Sequence, residues 1–383
     1  MELRTELPVI FEEFAEQRKA SFLQVKALKE QGVPVVGVFC TYFPQEIAAA
    51  MGACVVGLCS TSDETIKDAE RDLPSNLCPL IKSSYGFALT DKCPYFYFSD
   101  LIVGETTCDG KKKMYEFLGE FKPVHIMELP NRQSPDGLAL YRREIIRFRE
   151  ALEARFGVII TEDQIRQAIR VRNQERQALK ALYELMRLDP VPMKGEQLYS
   201  VLYGSTFRFD KEQVIRELQD LTARIRAEYD QGKHCEKAPR ILITGSPSSG
   251  GAMKVVRAIE ENGGVVVAYE NCGGSKSFDE LVDESDPDVY AALARRYLNI
   301  GCSCMTPNPN RFALMGRLIE EYRPDAVVEI VLQACHTYAV ESLKVKRFVQ
   351  DNYHLPYLKV ETDYSSSDAG QINTRVAALL EML

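Results

Sequence analysis

Eleven cysteines punctuate a chain of 383 residues, and their placement is the first thing in the sequence that could do chemistry. Cys40, Cys59, Cys78, Cys93, Cys108, Cys272, Cys302, Cys304 and Cys335 fall at or near predicted strand ends and loops. Two of them stand where a strand gives way to a helix. The β-branched run Ala326–Leu332 predicts a buried parallel strand that ends at Cys335-His336, with a helical pattern from about Val340. The apolar stretch Tyr95–Val103 predicts another strand, closed by Gly104-Glu-Thr-Thr-Cys108-Asp109 and followed by a helix over Lys111–Leu118. In open α/β sheets the crevice outside the carboxyl ends of the strands is where ligands sit. The other two cysteines read differently: Cys54, in Gly-Ala-Cys-Val-Val-Gly-Leu, as core filler, and Cys235, in a charged stretch, as an exposed thiol without a role.

The spacing narrows the chemistry. Structural zinc favours Cys-x-x-Cys pairs, and the nearest pair is Cys302-x-Cys304. A thiol hydrolase built on Cys335-His336 is a poor fit, because neighbouring side chains at a strand end point apart. Iron–sulfur clusters accept single cysteines from separate loops when the fold gathers them. Reduced thiols lining a cleft remain the alternative at this point. Two other stretches have a bland reading and a sharper one. Thr244–Ala252, Gly-rich between strand and helix, reads as a tight turn that could cradle a phosphate, but lacks a Walker lysine. Asp109-Gly-Lys-Lys-Lys113 reads as a solvated basic helix start or as a contact for an acidic partner.

The elements that must position these residues alternate strand and helix at both ends of the chain. The predicted fold class is α/β: two Rossmann-like doubly wound domains with parallel sheets, joined by a helical segment. Residues 1–135 hold an N-terminal helix (residues 1 to about 31) and the first such domain. Its strands are Pro34–Cys40, Gly52–Leu58, Tyr95–Val103 and Pro123–Pro130. Residues 136–235 carry long charged helices, Leu138–Phe156, Thr161–Arg187 (opened by a Thr161–Gln164 capping box) and Lys211–Gln231, with an irregular bridge over Met193–Gly204. Residues 236–383 form the second domain, with strands Ile241–Thr244, Gly264–Tyr269, Ala326–Leu332 and Pro356–Val360. The two α/β segments repeat one order of strands, turns and cysteines. A net charge of −8 argues against nucleic-acid binding, and no apolar run reaches the length of a membrane span. With no secretory signal pattern, the expected address is cytoplasmic.

Three stretches carry a resemblance to a known family: Asn76-Leu-Cys78-Pro-Leu-Ile-Lys-Ser-Ser84, Glu105-Thr-Thr-Cys108-Asp-Gly-Lys-Lys112 and Gln333-Ala-Cys335-His336. They resemble the cysteine motifs of the 2-hydroxyacyl-CoA dehydratase and benzoyl-CoA reductase superfamily, and Pro44-Gln-Glu46 and Glu361-Thr-Asp363-Tyr364 extend the likeness over nearly the whole chain. The resemblance implies that Cys78, Cys108 and Cys335 hold a [4Fe–4S] cluster between two Rossmann-like domains. The double-cubane-cluster branch is the nearer likeness, and it implies an [8Fe–9S] cluster needing three further ligands. Cys40, Cys272 and Cys304 are the favoured three among Cys40, Cys93, Cys272, Cys302 and Cys304. The branch further implies an oxidoreductase that forms a homodimer. It would take low-potential electrons from a separate ATP-dependent [4Fe–4S] activator protein, with exposed Lys111–Lys113 as a docking contact, and reduce a small molecule. Two other functions stay open: a dehydratase (lyase) subunit with one [4Fe–4S] cluster, and an electron carrier or cluster-storage module without turnover.

Overall fold

The computed structural model describes residues 16–383. The predicted N-terminal helix appears as α1 (Glu16–Glu30), and its first part lies outside the described residues. The first α/β half continues with β1 (Val35–Val38), α2 (Gln45–Ala50), β2 (Cys54–Gly57), α3 (Ile66–Ala69), α4 (Pro79–Leu89) and α5 (Pro94–Phe98). It closes with β3 (Leu101–Glu105), α6 (Asp109–Leu118) and β4 (Val124–Met127). Helices α7 (Pro135–Phe156), α8 (Glu162–Glu184), α9 (Gly195–Ser205) and α10 (Lys211–Asp230) follow. The second half runs β5 (Arg240–Gly245), α11 (Lys254–Glu261), β6 (Val265–Tyr269), α12 (Val289–Leu298) and α13 (Pro309–Tyr322), then β7 (Ala326–Leu332), α14 (His336–Tyr353), β8 (Tyr357–Thr362) and α15 (Ala369–Leu380).

Each half builds a four-stranded, all-parallel sheet, in the orders β2-β1-β3-β4 and β6-β5-β7-β8. The two orders are the same, so the repeat read from the sequence is a repeat of topology. In both, the chain steps outward from the first strand and then returns to its other side. That reversal places a switch-point crevice at the carboxyl ends of β1 and β3, and of β5 and β7.

Alternation along the strands sorts the core. Leu101 and Val103 enter one apolar layer with Tyr141, Ile145 and Phe148 of α7, while Ile102 enters the opposite one with Met114 and Tyr115 of α6. Helix α12, although it belongs to the second half in sequence, packs into the first of these layers, through Leu293 and Tyr297. A buried network fixes it there: Arg176 of α8 bonds Glu46 of α2 at 2.6 Å and the Tyr297 hydroxyl at 3.0 Å. The second sheet is buried on both faces within one cluster that includes α9 and the end of α8.

Three readings need correction. Tyr95–Val103 is not one strand: Pro94–Phe98 is helical and β3 starts only at Leu101. The Phe96 N–H donates to the Cys93 thiol and the Ser99 hydroxyl to the Tyr95 carbonyl, so local caps at both ends outweigh the strand preference of four aromatics. Met193–Gly204 is not an irregular bridge but contains α9. Its first N–H groups, on Gly195 and Glu196, are held by the carboxylate of Glu260, a cap too distant in sequence to be seen there. Cys235 is half-buried against the second core instead of exposed, and its N–H donates to the Val191 carbonyl.

The Gly-rich turn after β5 is the seam between the halves. Gly250 has φ +60°, and a Cβ there would lie 2.2 Å from the Thr61 carbonyl oxygen, while the Gly251 N–H donates to that same oxygen at 3.0 Å. Gly250→Ala is therefore expected to cost about 1–3 kcal/mol of stability through strain and clash. The control is Gly204→Ala, where a Cβ meets nothing and a helix gains propensity. Thermal unfolding should separate the two, the first lowered and the second unchanged or raised.

Candidate functional site

Cys78, Cys108 and Cys335 share one local setting: each immediately precedes a helix, α4, α6 and α14 respectively. Unpaired N–H groups at a helix start favour a thiolate, which is the form that binds metal. Cys108 follows β3 and Cys335 follows β7, so both switch points deliver one. Cys78 comes from the loop before α4, with Pro79 at the first helical position. Helix α14 begins at His336, four residues earlier than the sequence pattern predicts, because Ala334 at φ +56° turns the chain sharply after β7.

The thiols of Cys78 and Cys335 influence each other: their interaction pushes Cys78 up and draws Cys335 down to about 7, with burial opposing the fall and the Tyr338 N–H assisting it. A second set is formed by Cys40 after β1, Cys272 after β6, and Cys302 and Cys304 in the loop before α13. The thiols of Cys302 and Cys304 influence each other, which lowers the first and raises the second. Burial raises Cys40 and Cys272, and each also feels the charge of Cys302. Thr41 Oγ1 lies 3.7 Å from the Cys272 sulfur and Tyr338 Oη 3.7 Å from that of Cys302. Cys335 in turn senses Cys302, so the two sets border one another.

Two buried cations accompany the thiols. Lys276, fully buried and paired with Glu270 at 2.7 Å, lowers Cys302 and Cys272. Lys111 is buried, not exposed, and donates to the Phe39 carbonyl at 3.2 Å; it lowers Cys40 and Cys59. Lys112 and Lys113 are tied to Asp109 and Glu116 at 2.8 Å each, so the three lysines do not form a free basic patch. An open groove of about 1350 Å³, lined by Thr106, Lys112, Arg132 and Ser134 among others, reaches Cys304.

The family model for 2-hydroxyglutaryl-CoA dehydratase, D-component, matches residues 40–383. The chain belongs to this family. A protein of Escherichia coli (strain K12), named "Putative dehydratase subunit YjiM", is 58% identical over 384 residues, covering 100% of both chains. The beta subunit of (R)-2-hydroxyglutaryl-CoA dehydratase from Acidaminococcus fermentans is 21% identical, over 98% of this chain and 100% of its own. A benzoyl-CoA reductase subunit from Thauera aromatica is 24% identical, over 78% of this chain and 77% of its own. The chain is thus placed in the 2-hydroxyacyl-CoA dehydratase and benzoyl-CoA reductase superfamily, as its motifs suggested.

Cys78 and Cys335 influence each other, and Cys40, Cys272 and Cys304 each feel the charge of Cys302. The sequence reading named Cys302 among five candidates but favoured Cys40, Cys272 and Cys304. The signal for Cys302 was the Cys302-x-Cys304 spacing, which a loop can turn toward one point. Cys93 is spent on capping α5, and Cys54 is buried within β2 as core. Cys108 lies at the start of α6, three residues from Lys111, whose charge it feels. Among the described residues no three His, Cys, Asp or Glu side chains converge on a single-ion point. Lys276 and Tyr338 were invisible as site residues, and Lys111 was read only as an exposed docking contact, since a lysine in a helix start or loop reads as solvated.

Proposed function

We propose that this chain is the iron–sulfur reductase component of an ATP-dependent system and holds a double-cubane [8Fe–9S] cluster in the thiol-lined cleft. Cys78, Cys108 and Cys335 would hold one cubane; Cys40, Cys272 and Cys304 the other, with Cys302 beside them. The observation that carries this is that thiols from both halves influence one another: Cys78 with Cys335, Cys302 with Cys40, Cys272 and Cys304, and Cys335 with Cys302. A cluster places its own iron and sulfide between its ligands, so its thiols surround a volume instead of a point, which fits dispersed thiols better than a lone ion would. Helix starts behind Cys78, Cys108 and Cys335, and the ammonium groups of Lys111 and Lys276, balance the negative charge such thiolates bring. When bound, the cluster supplies electron transfer at low potential. The chain's own residues fix the thiols and leave the groove beside Cys304 as the way in for a small molecule. The electrons would come from a separate ATP-dependent [4Fe–4S] activator protein, and the chain would act as a homodimer, with domains close to residues 1–135 and 236–383 around the helical segment.

A second reading is favoured by the relatives' names, two of which are dehydratase subunits: a lyase component with one [4Fe–4S] cluster. The surplus of thiols beyond Cys78, Cys108 and Cys335 favours the first. Iron and sulfide analysis after anaerobic purification decides between them. About eight irons per chain are expected for the double cubane and about four for the single cluster, and none would remove both. Among the described residues no helix is long and apolar enough to cross a membrane.

A further inference from the structure

Helix α14 buries one face, through Tyr338, Ser342, Val345 and Val349, and turns the other to solvent. That outer face carries Val340, 78% exposed, and Leu343, 55% exposed, at the i, i+3 spacing that makes them neighbours. Arg347 continues the stripe, and Lys344 and Lys346 flank it. All three cations are exposed and without an ion pair among the described residues. Single apolar residues on a surface are ordinary, but an adjoining pair rimmed by charge of one sign has the make-up of a contact. Here the rim is positive on a chain whose net charge is −8. The face is also close to the thiols, because α14 begins directly after Cys335. Val340 stands about 8 Å along the axis from Cys335, at roughly 1.5 Å per residue. The lysines after Cys108 offer no equivalent, since Lys111 is buried and Lys112 and Lys113 are paired.

We propose that the outer face of α14 is where the electron donor docks, seating an acidic protein surface with an apolar centre over Val340 and Leu343. This rests on the reductase reading and names the contact through which the donor reaches the Cys335 side of the cleft. Charge decides the occupant. A second copy of this chain, placed there about a two-fold axis, would set Lys344, Lys346 and Arg347 against their own counterparts, because such an interface uses the same patch on both sides. A nucleic acid would gain three cations but face the field of a chain of net charge −8. An acidic protein surface meets the cations at the rim and covers the two apolar side chains in the middle. In each docking the donor loses an electron to the cluster held by this chain, and no bond of α14 is made or broken.

The test compares the parent with a variant combining Lys344→Glu, Lys346→Glu and Arg347→Glu. A control combines Arg216→Glu, Arg224→Glu and Lys233→Glu, exposed cations on and after α10, and so changes the net charge equally. The donor used is the protein from the same cells purified as the one that reduces the parent only with ATP. At low salt and without oxygen it should reduce the α14 variant about tenfold more slowly than the parent or the control. Added salt should slow the parent and the control while scarcely changing the variant. Val340→Asp should raise the donor concentration needed for half the maximal rate. Excess titanium(III) citrate, which needs no docking face, should reduce all of them to the same final extent. Equal donor-driven rates for the parent and the α14 variant overturn the docking face and leave the reductase reading standing. A parent that holds no iron, or whose iron titanium(III) citrate reduces but no ATP-requiring protein does, defeats the reductase reading and the docking with it. A parent dimer that Val340→Asp breaks into monomers would show a second copy on this face, which also overturns the proposal.

Discussion

Cys335→Ser is expected to bind about half the iron of the parent and to lose part of its electron paramagnetic resonance signal on reduction, while unfolding at nearly the same temperature. The thiol that ends β7 stands at the start of α14, half-buried, outside the interlocked apolar side chains of the second sheet. A hydroxyl in its place fills nearly the same space and can still accept an N–H of the helix start, so the cost to folding should stay within about 0.5 kcal/mol. What it cannot supply is a soft thiolate for iron. Cys78→Ser should behave alike on iron, since the two thiols influence each other. Cys235→Ser is the control: its half-buried thiol packs by the second core, remote from both sets, and iron should equal the parent's. If Cys335→Ser and Cys235→Ser carry the same iron and the same signal as the parent, the cluster assignment fails and the cleft is a thiol-lined pocket.

What was legible in the sequence was whatever depended on local pattern. Ala326–Leu332 reads as a buried parallel strand because seven apolar or β-branched positions in a row admit little else, Glu329 excepted, and the strand spans those residues. The capping box at Thr161–Gln164 announces α8, and both its hydrogen bonds are made. Two parallel sheets followed from alternating elements. Where contacts distant in sequence decide, the reading went astray. The cap of α9 is Glu260, and the Tyr-Phe-Tyr-Phe stretch turned helical between caps at Cys93 and Ser99. The placing of α12 against α2 and α8 rests on Arg176, Glu46 and Tyr297, which lie on three separate helices.

The site follows the same division. That thiols gather at strand ends was legible from position, because the carboxyl ends of parallel strands share one side of a sheet. Which thiols belong to which set was not, for Cys302 and Cys93 differ only in how their loops turn. The Gly-rich turn Thr244–Ala252 shows the converse. Its glycines answer to Thr61 and Tyr364 on other parts of the chain, so a stretch that looks built for a phosphate is built for a seam. Buried charge is the least legible of all, since Arg, Lys and Glu read as surface until their partners are known.

The buried charge also sets the largest expected loss of stability. Arg311, in the first turn of α13, is fully buried and joins carboxylates from three elements. These are Glu270 after β6 at 3.5 Å, Glu329 of β7 at 3.1 Å and Glu341 of α14 at 2.7 Å. Lys276 is the only other cation paired with these carboxylates among the described residues, through Glu270, so two positive groups answer three negative ones. Removing Arg311 leaves Glu329 with no ion pair and one neutral hydrogen-bond donor, Tyr357. Arg311→Met should therefore cost about 3–5 kcal/mol at neutral pH, the usual consequence of stranding a buried charge. Urea midpoints at neutral pH should show the variant unfolding at a lower denaturant concentration than the parent. Arg311→Lys keeps a charge but cannot fork to three carboxylates, so it should fall between the two. The loss should also be felt at the cleft, because the Arg311 guanidinium lies 4.9 Å from the centre of the Tyr338 ring, whose hydroxyl sits beside the Cys302 sulfur. A variant with the parent's midpoint would mean that the network is held together by something other than Arg311.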